Sequence, residues 1–158
     1  MRKFEKISFE QFKKDVCDDK ELYESYELPK RKTKNAAGYD FFALFDKNLV
    51  PGESVIIKTG IKADMNPDEV LLILNRSSLG FKHNIRIVNQ VGVIDADYYN
   101  NIDNEGQILI KIQNEGDHDY FIEKGSSIGQ GMFIKFLKVD DEEEITTVRT
   151  GGIGSTNK

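Results

Sequence analysis

From residue 33 onward the chain is a succession of short apolar runs broken by Gly, Pro, Asn and Asp. Val, Ile and aromatic residues dominate the runs, and such residues suit a pleated, half-buried surface. The candidate strands are Tyr39–Leu44, Glu53–Lys58, Glu69–Leu74, Ile85–Ile94, Ile108–Gln113, Asp119–Ile122, Gly131–Phe136 and Glu144–Val148. Pro51-Gly52 and Asn66-Pro67-Asp68 are turn signals between them. Several short strands at regular spacing predict an all-β sandwich or barrel. Within this region only Ser77–Lys82 has the makings of a helical turn.

The most informative stretch is Val91-Gly92-Val93-Ile94-Asp95-Ala96-Asp97-Tyr98-Tyr99. An apolar run ends there in two aspartates, followed by two tyrosines and the polar loop Asn100–Gln107. The second apolar run, Ile108–Ile112, comes next, so the segment reads as a β-hairpin. On an extended strand Asp95 and Asp97 share one face and Ala96 takes the other. Two readings stand: carboxylates set at the mouth of a site beside tyrosines, or solvated turn aspartates.

Residues 1–30 differ in texture. Ser8-Phe9-Glu10-Gln11 has the form of a capping box, with Ser8 as N-cap and Gln11 at N3. Phe9, Phe12 and Val16 fall on one face at helical spacing, which predicts a short helix to about Asp19. Asp18–Glu27 is acidic and reads as a surface connection. Pro29-Lys30-Arg31-Lys32 is a basic turn, solvated or facing phosphate.

Charge and composition narrow the function. A formal net charge of -5 argues against non-specific nucleic-acid binding, which rests on neutralising phosphates with Lys and Arg. No apolar run approaches the roughly 20 residues of a membrane span, and Arg2, Lys3 and Lys6 precede no apolar core of a signal peptide. The single cysteine, Cys17, has no internal partner, which fits a reducing, cytoplasmic setting. His83 and His118 lack partners at zinc-ligand spacing and read as surface residues.

Two further segments could handle anions. Asn75-Arg76-Ser77-Ser78-Leu79-Gly80 joins a rigid fork of donors to paired hydroxyls at a strand-to-helix transition. The end of the chain, Arg149 to Lys158, is glycine-rich, and glycines allow successive N–H groups to form an anion-binding nest. It reads either as a lid over an anionic ligand or as an ordinary frayed terminus. It is not a Walker loop, because the Gly-Lys-Ser/Thr ending is missing.

Taken in order, these segments resemble the motifs of the trimeric deoxyuridine triphosphatase (dUTPase) family. Ala36-Ala37-Gly38-Tyr39-Asp40 is similar to its first motif, Arg76-Ser77-Ser78-Leu79-Gly80 to its second and Gly92–Tyr98 to its third. Gly125–Gln130 is similar to the fourth and Arg149–Thr156 to the fifth. The resemblance covers residues 29 to the C-terminus and leaves 1–28 as an extension packed on the barrel. It implies a jelly-roll-like β-barrel over 29–148, a lid over 149–158, a homotrimer with shared sites, and hydrolysis of dUTP to dUMP and pyrophosphate with Mg²⁺. By position, Asp95 would be the general base. Tyr98 would pack on the deoxyribose, and Asn89, with the backbone near Val93, Ile94 and Leu109, would read uracil. Arg76, Ser77, Ser78, Gln130 and Arg149 would hold phosphates. Gly152 and Ile153 would close over the nucleotide, and Asp40 would touch Mg²⁺ only through water.

The chain departs from the family pattern at four places. Ser126-Ser127 replaces an acidic–basic pair, the loop Asn100–Gln107 is longer than usual, the fifth motif is one residue shorter between Arg149 and the glycine pair, and Ile153 stands where an aromatic is expected. Two alternatives remain. A dCTP deaminase of the same fold would place a glutamate where Lys111 lies on the strand after the loop. A non-catalytic nucleotide-binding barrel could use Phe4, Phe9, Phe12, Tyr23 and Tyr26 as a partner surface, although helix packing on the barrel explains those aromatics equally.

Overall fold

The computed structural model describes residues 1–153; the Gly154–Lys158 end of the expected lid lies outside them. The chain opens with β1 (Lys3–Lys6), α1 (Phe9–Asp15) and α2 (Lys20–Ser25). Next come β2 (Tyr39–Phe42), β3 (Lys47–Leu49), β4 (Ser54–Lys58), β5 (Ile61–Asp64) and β6 (Glu69–Leu74). After α3 (Ser77–His83) follow β7 (Ile85–Ile87), β8 (Gly92–Asp95), a 3₁₀ turn (Ala96–Tyr98), β9 (Leu109–Asn114), β10 (Tyr120–Ile122) and β11 (Ser127–Lys135).

A four-stranded antiparallel sheet in the order β2-β11-β6-β8 faces a three-stranded sheet in the order β4-β9-β7, with the pairs β1-β5 and β10-β3 at the margins. Alternation along the strands supplies the core. Leu71 and Ile73 of β6 and Ile110 and Ile112 of β9 are fully buried, while Lys111 between the latter two points outward. The sheets meet closely at Gly129 of β11, where an added Cβ would sit 3.5 Å from Ile110 Cδ1. This is the expected all-β, jelly-roll-like architecture.

Five details correct the sequence reading. The run Ile85–Ile94 is two strands, because the chain turns at Asn89–Gln90, where Gln90 has φ 64°. The expected β-hairpin is not formed: β7 pairs with β9 across the long excursion 88–108, whereas β8 within it crosses to pair with β6 in the opposite sheet. Asp95 is the last residue of β8 and Asp97 lies in the 3₁₀ turn, so no extended strand carries both. Asp18–Glu27 contains a helix, α2, capped by Asp19 accepting from the Leu22 N–H at 2.9 Å. Glu144–Val148 forms no strand, and Leu137, Val139, Ile145 and Val148 are all exposed along the stretch after β11.

Residues 1–28 are part of the fold. β1 extends the barrel by pairing with β5, and the Phe4 ring lies 5.3, 5.6 and 5.2 Å from the rings of Tyr39, Phe41 and Phe133. Ser8 caps α1 by accepting from the Gln11 N–H at 3.1 Å. The return arm of a capping box is not made: the Ser8 N–H donates instead to Glu105 Oε2 at 2.9 Å. α1 ends at Asp15, earlier than Asp19. Phe12 stacks on Tyr26, whose buried hydroxyl donates to Gly60 O at 2.8 Å. Gly60 has φ +70°, and any Cβ there would meet that hydroxyl at 2.7 Å, so this contact requires glycine.

Candidate active site

β8 enters the site against the edge of β6. Gly92 is needed for that approach, since a Cβ there would lie 3.0 Å from Ile73 Cβ. A cavity of about 310 Å³ opens beside it, lined by Asn89, Val93, Ile94, Leu109, Asp95 and Tyr98. Arg149 and Ile153 close it from the tail side. The 3₁₀ turn after Asp95 swings Tyr98 inward, where it is 6% exposed. Its hydroxyl donates to Gln107 O at 2.8 Å and accepts from Asn104 Nδ2 at 2.8 Å. Burial pushes the Tyr98 hydroxyl above the ordinary tyrosine range, so it stays a neutral donor.

Asp95 keeps about half its side chain in solvent. Arg149 Nη2 donates to Asp95 Oδ2 at 2.6 Å and Nε to Asp97 Oδ1 at 3.0 Å. The guanidinium carbon lies 5.8 Å from the Tyr98 ring centroid. The Gly152 N–H donates to Asp103 Oδ2 at 3.0 Å. Asp103 and Asn104 escaped the sequence reading; the only hint was the extra length and asparagine content of the loop 100–107.

A second polar cluster sits at the far edge of the same sheet. Arg76 occupies the position just before α3 without a side-chain capping bond, and its Nε lies 3.4 Å from Asp40 Oδ1 on β2. Lys32 Nζ lies 3.4 Å from Asp40 Oδ2. Gln130 faces Asp40 across the β2–β11 ladder and donates to Asn75 O at 3.0 Å, and Gly38 leaves the room its side chain fills. Ser77 is exposed and Ser78 half-buried at the first turn of α3. Asp40 aligns with Gln130 and Leu74, and Asp95 with Val70. The two aspartates are therefore three strand spacings apart, about 14 Å, and offset by four residues, about 13 Å, along the strands.

Residues 24–157 match the profile of a family described as dUTPase. The chain belongs to the dUTPase family. A "Deoxyuridine 5'-triphosphate nucleotidohydrolase" of Lactococcus lactis subsp. lactis is 47% identical over 130 residues, covering 82% of this chain and 87% of the relative. The crystal structure of dUTPase from Streptococcus mutans superposes with TM-score 0.70 at 39% identity, over 87% of this chain and 98% of that one. The dUTPase from phage phi11 of S. aureus shares the fold, with TM-score 0.68 at 20% identity over 96% and 99% of the two chains. No helix among the described residues is long and apolar enough to cross a membrane.

Proposed function

We propose that the chain hydrolyses dUTP to dUMP and pyrophosphate, with Asp95 as the base that orients and deprotonates the water attacking the α-phosphate. The observation that carries this reading is a half-exposed carboxylate and a buried tyrosine lining one cavity. Membership of the dUTPase family supports the substrate. Asn89 and the backbone of Val93, Ile94 and Leu109 would recognise uracil, since they line the same cavity as Asp95 and Tyr98. Tyr98 would pack on the deoxyribose and leave no room for a 2′-hydroxyl.

In the ligand-free chain Arg149 neutralises Asp95. A triphosphate carries more charge than a carboxylate and competes for that guanidinium, which frees Asp95 to accept a proton from water. Gly152 and Ile153 then cover the nucleotide. Arg76, Ser77, Ser78 and Gln130 hold the phosphates; Asp40 fixes the Arg76 fork.

The residues fit a magnesium ion carried by the nucleotide and no protein cage. No three His, Cys, Asp or Glu among the described residues cluster as metal ligands, and both Asp40 oxygens already face cations. Asp40 would meet the ion only through water, and the ion would supply Lewis-acid stabilisation of phosphate charge.

The separation of Asp95 from the Arg76 cluster supports a shared site. Asp95 and the Asp40 end of the phosphate cluster lie well apart on the sheet of one chain, so the phosphate cluster would come from another copy. A homotrimer meets this need and gives the exposed Leu137, Val139, Ile145 and Val148 something to cover them. A deaminase is disfavoured because Lys111, where that enzyme needs glutamate, points away from the cavity on the outer face of β9. Incubation with dUTP and dCTP is the test. Pyrophosphate from dUTP is expected, whereas ammonia from dCTP, or no turnover of either, overturns the reading.

A further inference from the structure

We propose that the long loop 100–107 is a latch for the C-terminal tail, in which Asp103 receives the tail backbone and Asn104 is a positioning residue for Tyr98. The inference rests on the reading of Tyr98 and the tail given above. The loop is built as a rigid polar knot. The Asn101 side chain accepts from the N–H groups of Asp103 at 3.0 Å and Asn104 at 3.2 Å, and donates to Tyr98 O at 2.8 Å. Asn104 Oδ1 accepts from the Asn101 amide at 2.9 Å and the Gly106 N–H at 3.0 Å, while its Nδ2 holds the Tyr98 hydroxyl at 2.8 Å. Gly106 has φ +84°, and a Cβ there would come within 2.6 Å of Tyr98 O, so the knot closes only around glycine.

Both asparagine side chains are spent inward. The neighbouring Asp103 is exposed, and its carboxylate holds the Gly152 N–H at 3.0 Å. A Cβ on Gly152 would lie 4.0 Å from Asn104 Nδ2, which places the tail backbone directly over the group that fixes Tyr98. One loop thus touches the sugar-facing tyrosine on its inner side and the closing tail on its outer side.

The loop is also braced from behind. Glu105 accepts from the Ser8 N–H at 2.9 Å and pairs with Lys62 Nζ at 3.3 Å; the Tyr99 hydroxyl bonds Glu5; Gln107 Nε2 donates to Asp15 Oδ2 at 3.0 Å. Ser8, Glu5 and Asp15 all precede residue 24, where the match to the family begins. The N-terminal segment therefore acts on the site through this loop. The role of Asp103 is that of a fixed acceptor for a backbone N–H.

The test is tryptic cleavage after Arg149, with and without a non-hydrolysable dUTP analogue, beside steady-state kinetics on dUTP and UTP. The wild-type chain should be protected by the analogue. Asp103→Ala should lose that protection and drop on the order of 10-fold in kcat/KM, the worth of one hydrogen bond to a charged group. Affinity for dUMP and thermal stability should not change, because Asp103 is exposed. Asp103→Asn keeps an acceptor oxygen and should restore most of the protection. Asn104→Ala should narrow the preference for dUTP over UTP. Wild-type protection and kinetics in Asp103→Ala, or an Asp103→Asn variant as defective as Ala, overturns the latch. Failure of the wild-type chain to hydrolyse dUTP would overturn the functional reading instead, and the same kinetic run reports it first.

Discussion

The two polar clusters of this barrel are held in opposite ways. The Arg76 cluster is fixed by ladder register: Asp40 and Gln130 face one another because β2 and β11 pair there, and Arg76 leaves the end of β6 beside them. The Asp95 cluster is assembled across long stretches of sequence. Its guanidinium comes from Arg149 in the tail, its floor from a 3₁₀ turn, and its tyrosine is fixed by a loop that the N-terminal segment braces. A phosphate-binding surface can be preformed, since its ligand is always charged in the same places. A base must be free at the moment of reaction, so its partner has to be removable. The difference separates the part of the site that binds from the part that is switched.

The sharpest way to break this contrast is Asp95→Asn. Turnover should fall by roughly 10²–10⁴-fold with nucleotide binding retained, the usual worth of a general base. Near wild-type turnover of dUTP would remove Asp95 from the chemistry. Arg76→Ala comes next, with a loss on the order of 10²–10³-fold, as for removal of one donor at a charged transition state. Arg76→Lys should rescue poorly, because Asp40 orients a fork that lysine lacks. Full rescue in a turnover assay would mean the cluster works by charge alone.

Tyr98→Phe tests the floor at a smaller scale. It deletes bonds to Gln107 O and Asn104 and should cost about 1 kcal/mol in unfolding free energy. Tyr98→Ala should also narrow the dUTP-to-UTP preference, and an unchanged ratio would assign sugar selection elsewhere. The smallest effect is in the brace. The bond from the Tyr99 hydroxyl holds Glu5 below its ordinary 4.5. For Glu105, burial works upward, but bonds from Ser8 and Lys62 outweigh it and the net direction is again below 4.5. Depressed carboxyl values contribute stability that is complete above the unfolded value and lost as pH falls through the folded one. Thermal midpoints of the wild-type chain and of a Glu5→Gln, Glu105→Gln double variant should therefore differ at pH 7, with the gap starting to close near pH 4.5 and vanishing only once pH has fallen through the lowered folded values. A constant gap across that window would show that these two carboxyls do not tie the brace to pH.

Much of this was legible in the sequence. The strand pattern gave the barrel, Ser8 gave the cap of α1, and Asp95 and Tyr98 of the third motif line one cavity. What was missed has physical causes. The turn at Asn89–Gln90 contains no glycine or proline, so the left-handed Gln90 hides it inside an apolar run. β1 is a strand only because β5 offers an edge, and α2 looked like a linker because its acidic face is solvated. Glu144–Val148 has strand composition but no ladder partner among the described residues. Asp103 and Asn104 were invisible for a different reason. Nothing in Asn-Asn-Ile-Asp-Asn says which side chains fold inward and which one is left to meet the tail.

The distance between Asp40 and Asp95 across the sheet has a consequence for mixtures of chains. If each working site takes its base from one copy and its phosphate grip from another, two inactive proteins can repair one another. Chains carrying Asp95→Asn and chains carrying Arg76→Ala each fail alone, yet some sites in a mixed trimer join an intact base to an intact arginine. With equal amounts and random reassembly, that happens at about a quarter of the sites. Activity would then appear in a tube that combines two dead preparations, and it would rise with the time allowed for subunits to exchange.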